Sequence, residues 1–212
     1  MANEYMPISF SMKERPCLVV GGGQVALRKV EALLNYDCRL TVIAPEPEKK
    51  IEYYAEKGKL NLEKREYRSG EAKSYGIVIS AGDSRDLNRA VRDDCAGAGI
   101  PVNVVDDPEL CDFVFPAVVR RDLLTVAVSS DGKAPFLSGH LRLVLEEIFP
   151  DSWGRIARLA AGFRRKVRER WRREPAKRSE CYERFVSVDW KTELKDKTDG
   201  EMEELLERLI EP

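Results

Sequence analysis

The first hundred residues alternate short apolar runs with amphipathic stretches. Pro16-Cys17-Leu18-Val19-Val20, with charge before it and glycine after it, reads as a buried strand. The positions Val25, Leu27, Val30, Leu33 and Leu34 fit one helical stripe, and the β-branched run Leu40-Thr41-Val42-Ile43 then completes a strand–helix–strand unit. The pattern goes on to predict a helix over 46–57, a short strand near 60–62, a strand over 77–80, a helix over 87–98 and a strand over 101–105. Such alternation predicts an α/β fold built on a doubly wound parallel sheet.

The pattern changes after Pro108. Two apolar segments, 113–117 and 123–128, read as strands joined by the polar turn Arg120-Arg121-Asp122, and their pairing fits an antiparallel hairpin. A loop over 129–133 leads to a helix marked by Leu137, Leu141, Val144, Leu145 and Ile148. The last sixty residues read as helical, with segments at 153–173 and 202–210 and a polar break at Glu174-Pro175. The expected organisation is a sheet domain over 1–112, a small α+β region over 113–150 and a helical C-terminal domain over 151–212.

Composition narrows the function classes. The 212 residues carry 36 basic and 37 acidic side chains, a net charge of -1 that gives no global attraction to nucleic acid. No run approaches the roughly 20 apolar residues of a membrane span, and Met1-Ala2-Asn3-Glu4-Tyr5 opens no leader, so a cytoplasmic protein without membrane attachment is expected. Five scattered cysteines, Cys17, Cys38, Cys95, Cys111 and Cys181, show no metal-ligand spacing and read as reduced thiols. The single histidine, His140, rules out a metal site built on several imidazoles, so no metal is expected and a catalytic acid or base should be a carboxylate.

Gly21-Gly22-Gly23-Gln24-Val25-Ala26 lies between the first strand and the first helix and fits G-x-G-x-x-A, the dinucleotide fingerprint in its alanine form. Gly21 permits the tight turn, Gly23 lets backbone approach a pyrophosphate, and Ala26 lets the helix pack closely on its strand. A glycine-rich turn can be merely structural, but its place in a complete strand–helix–strand unit favours an NAD-binding, Rossmann-like reading. The usual ribose-binding carboxylate at the end of the second strand is replaced by Ala44, with Pro45-Glu46 immediately after. Glu46 either supplies that carboxylate late, with no neighbouring arginine to welcome a 2'-phosphate and so favouring NAD over NADP, or is a solvated residue in the first turn of the next helix.

Several motifs together are similar to one family. Pro7-Ile8-Ser9-Phe10, Cys17-Leu18-Val19-Val20-Gly21-Gly22-Gly23 with Val25-Ala26 and Arg28-Lys29, Leu40-Thr41-Val42-Ile43-Ala44-Pro45, Asn103-Val104-Val105-Asp106 and Val126-Ala127-Val128-Ser129-Ser130-Asp131-Gly132 followed by Ala134-Pro135 occur in order. The chain thus resembles the precorrin-2 dehydrogenase family, the N-terminal module of siroheme synthases, and its end at Pro212 suggests the stand-alone form without a methyltransferase. The resemblance implies NAD-dependent oxidation of precorrin-2 to sirohydrochlorin in a homodimer formed through roughly 113–149, and in some members insertion of Fe2+ to give siroheme.

The resemblance also implies site residues. It marks Asp106 as the catalytic group, whereas by sequence alone Asp106-Asp107-Pro108 could be an ordinary strand-ending turn. It marks Ser130 as a substrate-proximal or modified residue, although Ser129-Ser130-Asp131-Gly132 is also what a loop requires. Near Gly139-His140 the chain departs from relatives that carry arginine there. The basic run from Arg155 to Arg178 reads as a solvated helix that the acidic residues Glu201, Glu203, Glu204 and Glu207 could neutralise. Two other readings stay open: an oxidoreductase of another small molecule, and a sensor that binds NAD without consuming it.

Overall fold

The fold is given by a computed structural model, which describes residues 4–211; Met1-Ala2-Asn3, part of the segment read as leader-free, lie outside the described residues. The chain separates into two compact units, Met1–Phe115 and Pro116–Pro212.

The first unit runs β1 (Arg15–Val20), α1 (Gln24–Leu33), β2 (Cys38–Ile43), α2 (Lys49–Glu56), β3 (Asn61–Glu63), β4 (Ile77–Ser80), α3 (Arg85–Ala98) and β5 (Val102–Val104). Its five strands are all parallel, in the order β3-β2-β1-β4-β5. Helices cover both faces, so the central strands are continuous apolar runs rather than alternating ones. Cys17 and Val19 pack with Val42, Ile79 and the α1 and α2 residues Val30, Leu33 and Ile51. The alternate positions Leu18 and Val20 pack with Val78, Val102, Val104 and the α3 residues Val91 and Cys95. Each such side chain contributes roughly 1.5–3 kcal/mol through burial. Ser84 accepts from the Leu87 N–H at the start of α3, and Gly99 ends that helix at φ +66°.

One boundary differs in a way that bears on the site. Helix α2 starts at Lys49, not at 46, because Pro47 disfavours the helical region for Glu46. Glu46 therefore belongs to the loop after β2, not to a helical first turn.

The second unit opens with β6 (Ala117–Arg121) and β7 (Leu124–Val128), an antiparallel hairpin. The first of these strands begins four residues later than the apolar pattern suggests. Arg120 and Arg121 lie within it, opposite Thr125 and Leu124, and the turn is Asp122-Leu123, with Asp122 at φ +55°. The run at 113–115 is no strand: Phe113 packs on the sheet core and meets Phe115 edge-on at 5.5 Å. Five helices follow, α4 (Pro135–Ile148), α5 (Ser152–Arg170), α6 (Pro175–Val186), α7 (Trp190–Asp196) and α8 (Asp199–Ile210). Phe163, Val167, Cys181, Phe185, Trp190, Met202 and Leu206 form the core of α5–α8. A capping box between Thr198 and Glu201 starts α8.

Candidate active site

Because the strands are parallel, the segments that leave their carboxyl ends share one sheet edge: Gly21 after β1, Ala44-Pro45-Glu46 after β2, Ala81-Gly82 after β4 and Val105-Asp106 after β5. The connectivity reverses direction between β1 and β4, the place where open α/β sheets bind ligands.

The three glycines have separate jobs there. Gly21 sits at φ +111°, and a Cβ on it would collide with the Ala81 carbonyl oxygen and lie 2.6 Å from the carbonyl carbon. Its N–H donates to Ile43 O at 2.9 Å while the Ala81 N–H donates to Val20 O at 2.7 Å, which closes the turn on both sides. A Cβ on Gly22 would come within 2.7 Å of both Ala44 Cβ and Pro47 Cα, and the Gly22 carbonyl accepts from the Glu48 N–H at 2.9 Å. This packing brings Pro45 and Glu46 beside the glycine turn. Gly23 is different: it is exposed, has an ordinary φ of -75°, and a Cβ on it would meet nothing within 4 Å.

Gly23 is also the N-cap of α1 and offers no side chain to cap it. The first-turn amides of an α-helix have no intrahelical acceptor, and this end holds no acidic residue to compete for them. Exposed Gln24 and Val25 flank the opening. A dinucleotide pyrophosphate fits such a place, with the helix dipole and free amides facing its charge. Gly23, Gln24 and Val25 would hold the pyrophosphate, and Pro45 with the exposed Glu46 would flank the adenosine ribose.

Asp106 lies in the turn after β5, exposed and at φ +61°, one of four described non-glycine residues with positive φ. Aspartate tolerates this region better than most residues, yet the conformation must be held by its surroundings. Buried Asn103 does much of that. Its Nδ2 donates to the Phe113 carbonyl at 2.9 Å and to Cys111 Sγ at 3.4 Å. The Cys111 thiol in turn donates to Val104 O at 3.1 Å, so residues 111–113 are strapped under the turn. Among the described residues no hydrogen bond or ion pair engages the Asp106 carboxylate itself, which leaves it available to a ligand.

Sequence reasoning gave no role to Lys29 or Cys111, although Arg28-Lys29 was among the motifs. Lys29, half-buried on α1, places its ammonium 4.1 Å from the centre of the Phe115 ring. Burial pushes its pKa down, and the nearby Cys111 thiol and Asp106 carboxylate only partly offset that. The Lys29 ammonium thus lies within the electrostatic reach of the exposed Asp106 carboxylate. The Cys111 thiol is pushed up, first by burial. Neither effect was visible in sequence, because both depend on α1 meeting the 103–115 segment.

The other candidates are placed as follows. In the second unit the Ser130 hydroxyl accepts from the Ala134 N–H at 3.0 Å and the Ser129 hydroxyl accepts from the Asp131 N–H at 3.1 Å, bonds that order the loop before α4. His140 is exposed on α4. Among the described residues no group of three or more His, Cys, Asp or Glu is arranged to hold a metal ion, and no helix is long and apolar enough to cross a membrane.

A family model described as "Putative NAD(P)-binding" matches residues 8–117. Siroheme synthase of Methylococcus capsulatus is 41% identical over 183 residues, covering 86% of this chain and 38% of the relative. Siroheme synthase of Pseudomonas paraeruginosa is 43% identical over 166 residues, covering 78% of this chain and 36% of the relative. The chain therefore spans less than two fifths of the length of these curated relatives. Among solved structures, SirC, precorrin-2 dehydrogenase, shares the fold at a TM-score of 0.76 and 20% identity, over 97% of this chain and 98% of that one. The chain belongs to the NAD(P)-binding family whose model matches residues 8–117.

Proposed function

We propose that the chain is a cytoplasmic precorrin-2 dehydrogenase that oxidises precorrin-2 to sirohydrochlorin with NAD. The observation that carries this reading is the shared sheet edge, where the open Gly23 end of α1 and the unengaged Asp106 carboxylate both lie. The likeness to siroheme synthases and the fold shared with a precorrin-2 dehydrogenase support the choice of substrate.

A nicotinamide cofactor held by Gly23, Gln24 and Val25 would supply a hydride acceptor. Two hydrogens leave the macrocycle, one as hydride with the bonding electron pair and the other as a proton, and the Asp106 carboxylate takes that proton. Asn103 keeps the turn in place, and the Lys29 ammonium offers charge to a carboxylate-rich substrate. NAD is favoured over NADP because Glu46 would meet a 2'-phosphate with like charge. Arg65, two residues past β3, is already held by Glu63 and Glu71.

The active form is a homodimer built on the segment around α4. In the single chain α4 buries only Ser138, while Phe136, Leu137, Leu141, Leu143, Val144 and Ile148 all stand exposed. An apolar stripe of this extent is what a second copy would cover.

Purified chain given precorrin-2 should form NADH and sirohydrochlorin in equal amounts with NAD, and much more slowly with NADP. Cofactor binding without product would sink the reading and leave a sensor or an oxidoreductase of another substrate. Repeating the assay with sirohydrochlorin and Fe2+ tests whether iron is a further substrate.

A further inference from the structure

The basic run on α5 does not behave as one surface. Lys166 bonds Glu203 at 3.1 Å and Glu207 at 2.6 Å, and Arg170 bonds Glu211 at 2.5 Å, so one face of α5 is neutralised by α8 and the residue after it. Arg164 and Arg168 are offset from Lys166 and Arg170 by two positions, about 200° around a helix, and so face elsewhere. They line a groove of about 410 Å³ together with Pro175, Arg178, Ser179 and Tyr182 of α6.

Among the described residues Arg164, Arg168 and Arg178 form no ion pair, and the Ser179 and Tyr182 hydroxyls have no protein partner. Glu174, the neighbouring acid at the start of α6, is taken by Lys177 at 2.8 Å. Three like charges gathered in one groove repel one another, and a bound anion relieves that repulsion. Planar guanidiniums from two helices suit oxygens carried on a small multivalent anion. The volume lies within the roughly 300–1,000 Å³ of small-molecule sites.

We propose that the α5–α6 groove is a binding site for a small multivalent oxyanion, a di- or tricarboxylate or a phosphate ester, separate from the cofactor crevice. All of its residues belong to the 116–212 unit, and it does not depend on the substrate proposed above.

Citrate and inorganic pyrophosphate, titrated calorimetrically into the full chain at low salt, distinguish the two anion classes. One molecule should bind per chain, and Arg164→Gln with Arg178→Gln should weaken binding at least tenfold. Arg172→Gln with Arg173→Gln, in the same basic run but outside the groove, should leave it unchanged, as should saturating NAD. Thermal melts of both variants show whether they remain folded. Absence of binding by either probe overturns the proposal, and so does an equal loss in the control variant, which would mean diffuse charge. Tight single-stranded RNA binding lost equally in both variants would also overturn it, in favour of a nucleic-acid surface.

Discussion

The sheet of the first unit and the segment from β6 to α4 in the second are both rich in apolar residues, but they treat them oppositely. Leu18, Val19, Val20, Val42, Val78 and Ile79 have almost no exposure, whereas between 117 and 148 only Val119 and Ser138 are buried. Phe136 is 80% exposed and Ile148 60%. A fully covered sheet is a finished scaffold that can hold a strained turn such as Asp106; an uncovered apolar stripe is half of an interface. The proposed chemistry and the proposed assembly thus fall in different regions.

The largest expected effect comes from breaking the finished region. Gly21→Ala puts a methyl into the Ala81 carbonyl at a φ that alanine resists, and should lower unfolding free energy by about 3 kcal/mol or more in urea titrations. Gly23→Ala, two residues on, meets open space and has an ordinary φ, so its stability should match the parent while NAD affinity falls at least tenfold by calorimetry. Equal damage from both would mean that Gly23 is structural as well.

The unfinished region should respond in the opposite sense. Leu141→Glu with Val144→Glu on exposed α4 positions should weaken self-association by about 3 kcal/mol, roughly 100-fold, with the first unit still folded. Light scattering across a dilution series reads this directly, and an unchanged mass would remove α4 from the interface.

Two smaller effects test electrostatics inside the first unit. Lys29 binds its proton less readily when folded, so the native state holds fewer protons than the unfolded one between its lowered pKa and the ordinary lysine value near about 10.4. Stability should therefore rise with pH through that window, and Lys29→Met should flatten the rise in urea midpoints. For Asp94, burial alone would raise the pKa, but bonds from the Gly70 N–H at 2.6 Å, the Tyr67 hydroxyl at 2.7 Å and the Ser69 hydroxyl outweigh it and hold it low. Its contribution is present above the unfolded aspartate value and lost as pH falls through the folded one. Asp94→Asn should cost about 1 kcal/mol at neutral pH and little in strong acid.

Much of this was legible in the residues because parallel strands buried on both faces leave unbroken apolar runs, and because Gly21, the first glycine of G-x-G-x-x-A, meets a backbone requirement that other residues cannot. The misreadings share a cause. The run at 113–117 has strand-like composition, but Phe113 is used to pack on the sheet and Phe115 lies beneath Lys29, contacts that periodicity does not encode. Asp122-Leu123 lacks the glycine that marks most two-residue hairpins, so nothing in the sequence separates this turn from the strand residues Arg120 and Arg121. Glu46 has helical composition, but Pro47 bars its neighbour from the helical region. The two faces of α5 could have been separated by residue spacing alone, whereas which face α8 would neutralise could not.

The proposed oxidation turns on Asp106 as the proton acceptor. Single-turnover absorbance with precorrin-2 and saturating NAD should show NADH forming at least about 100-fold more slowly in Asp106→Asn than in the parent, with NAD affinity unchanged. NADH formation at the parental rate in that variant would contradict it and move the proton to another group.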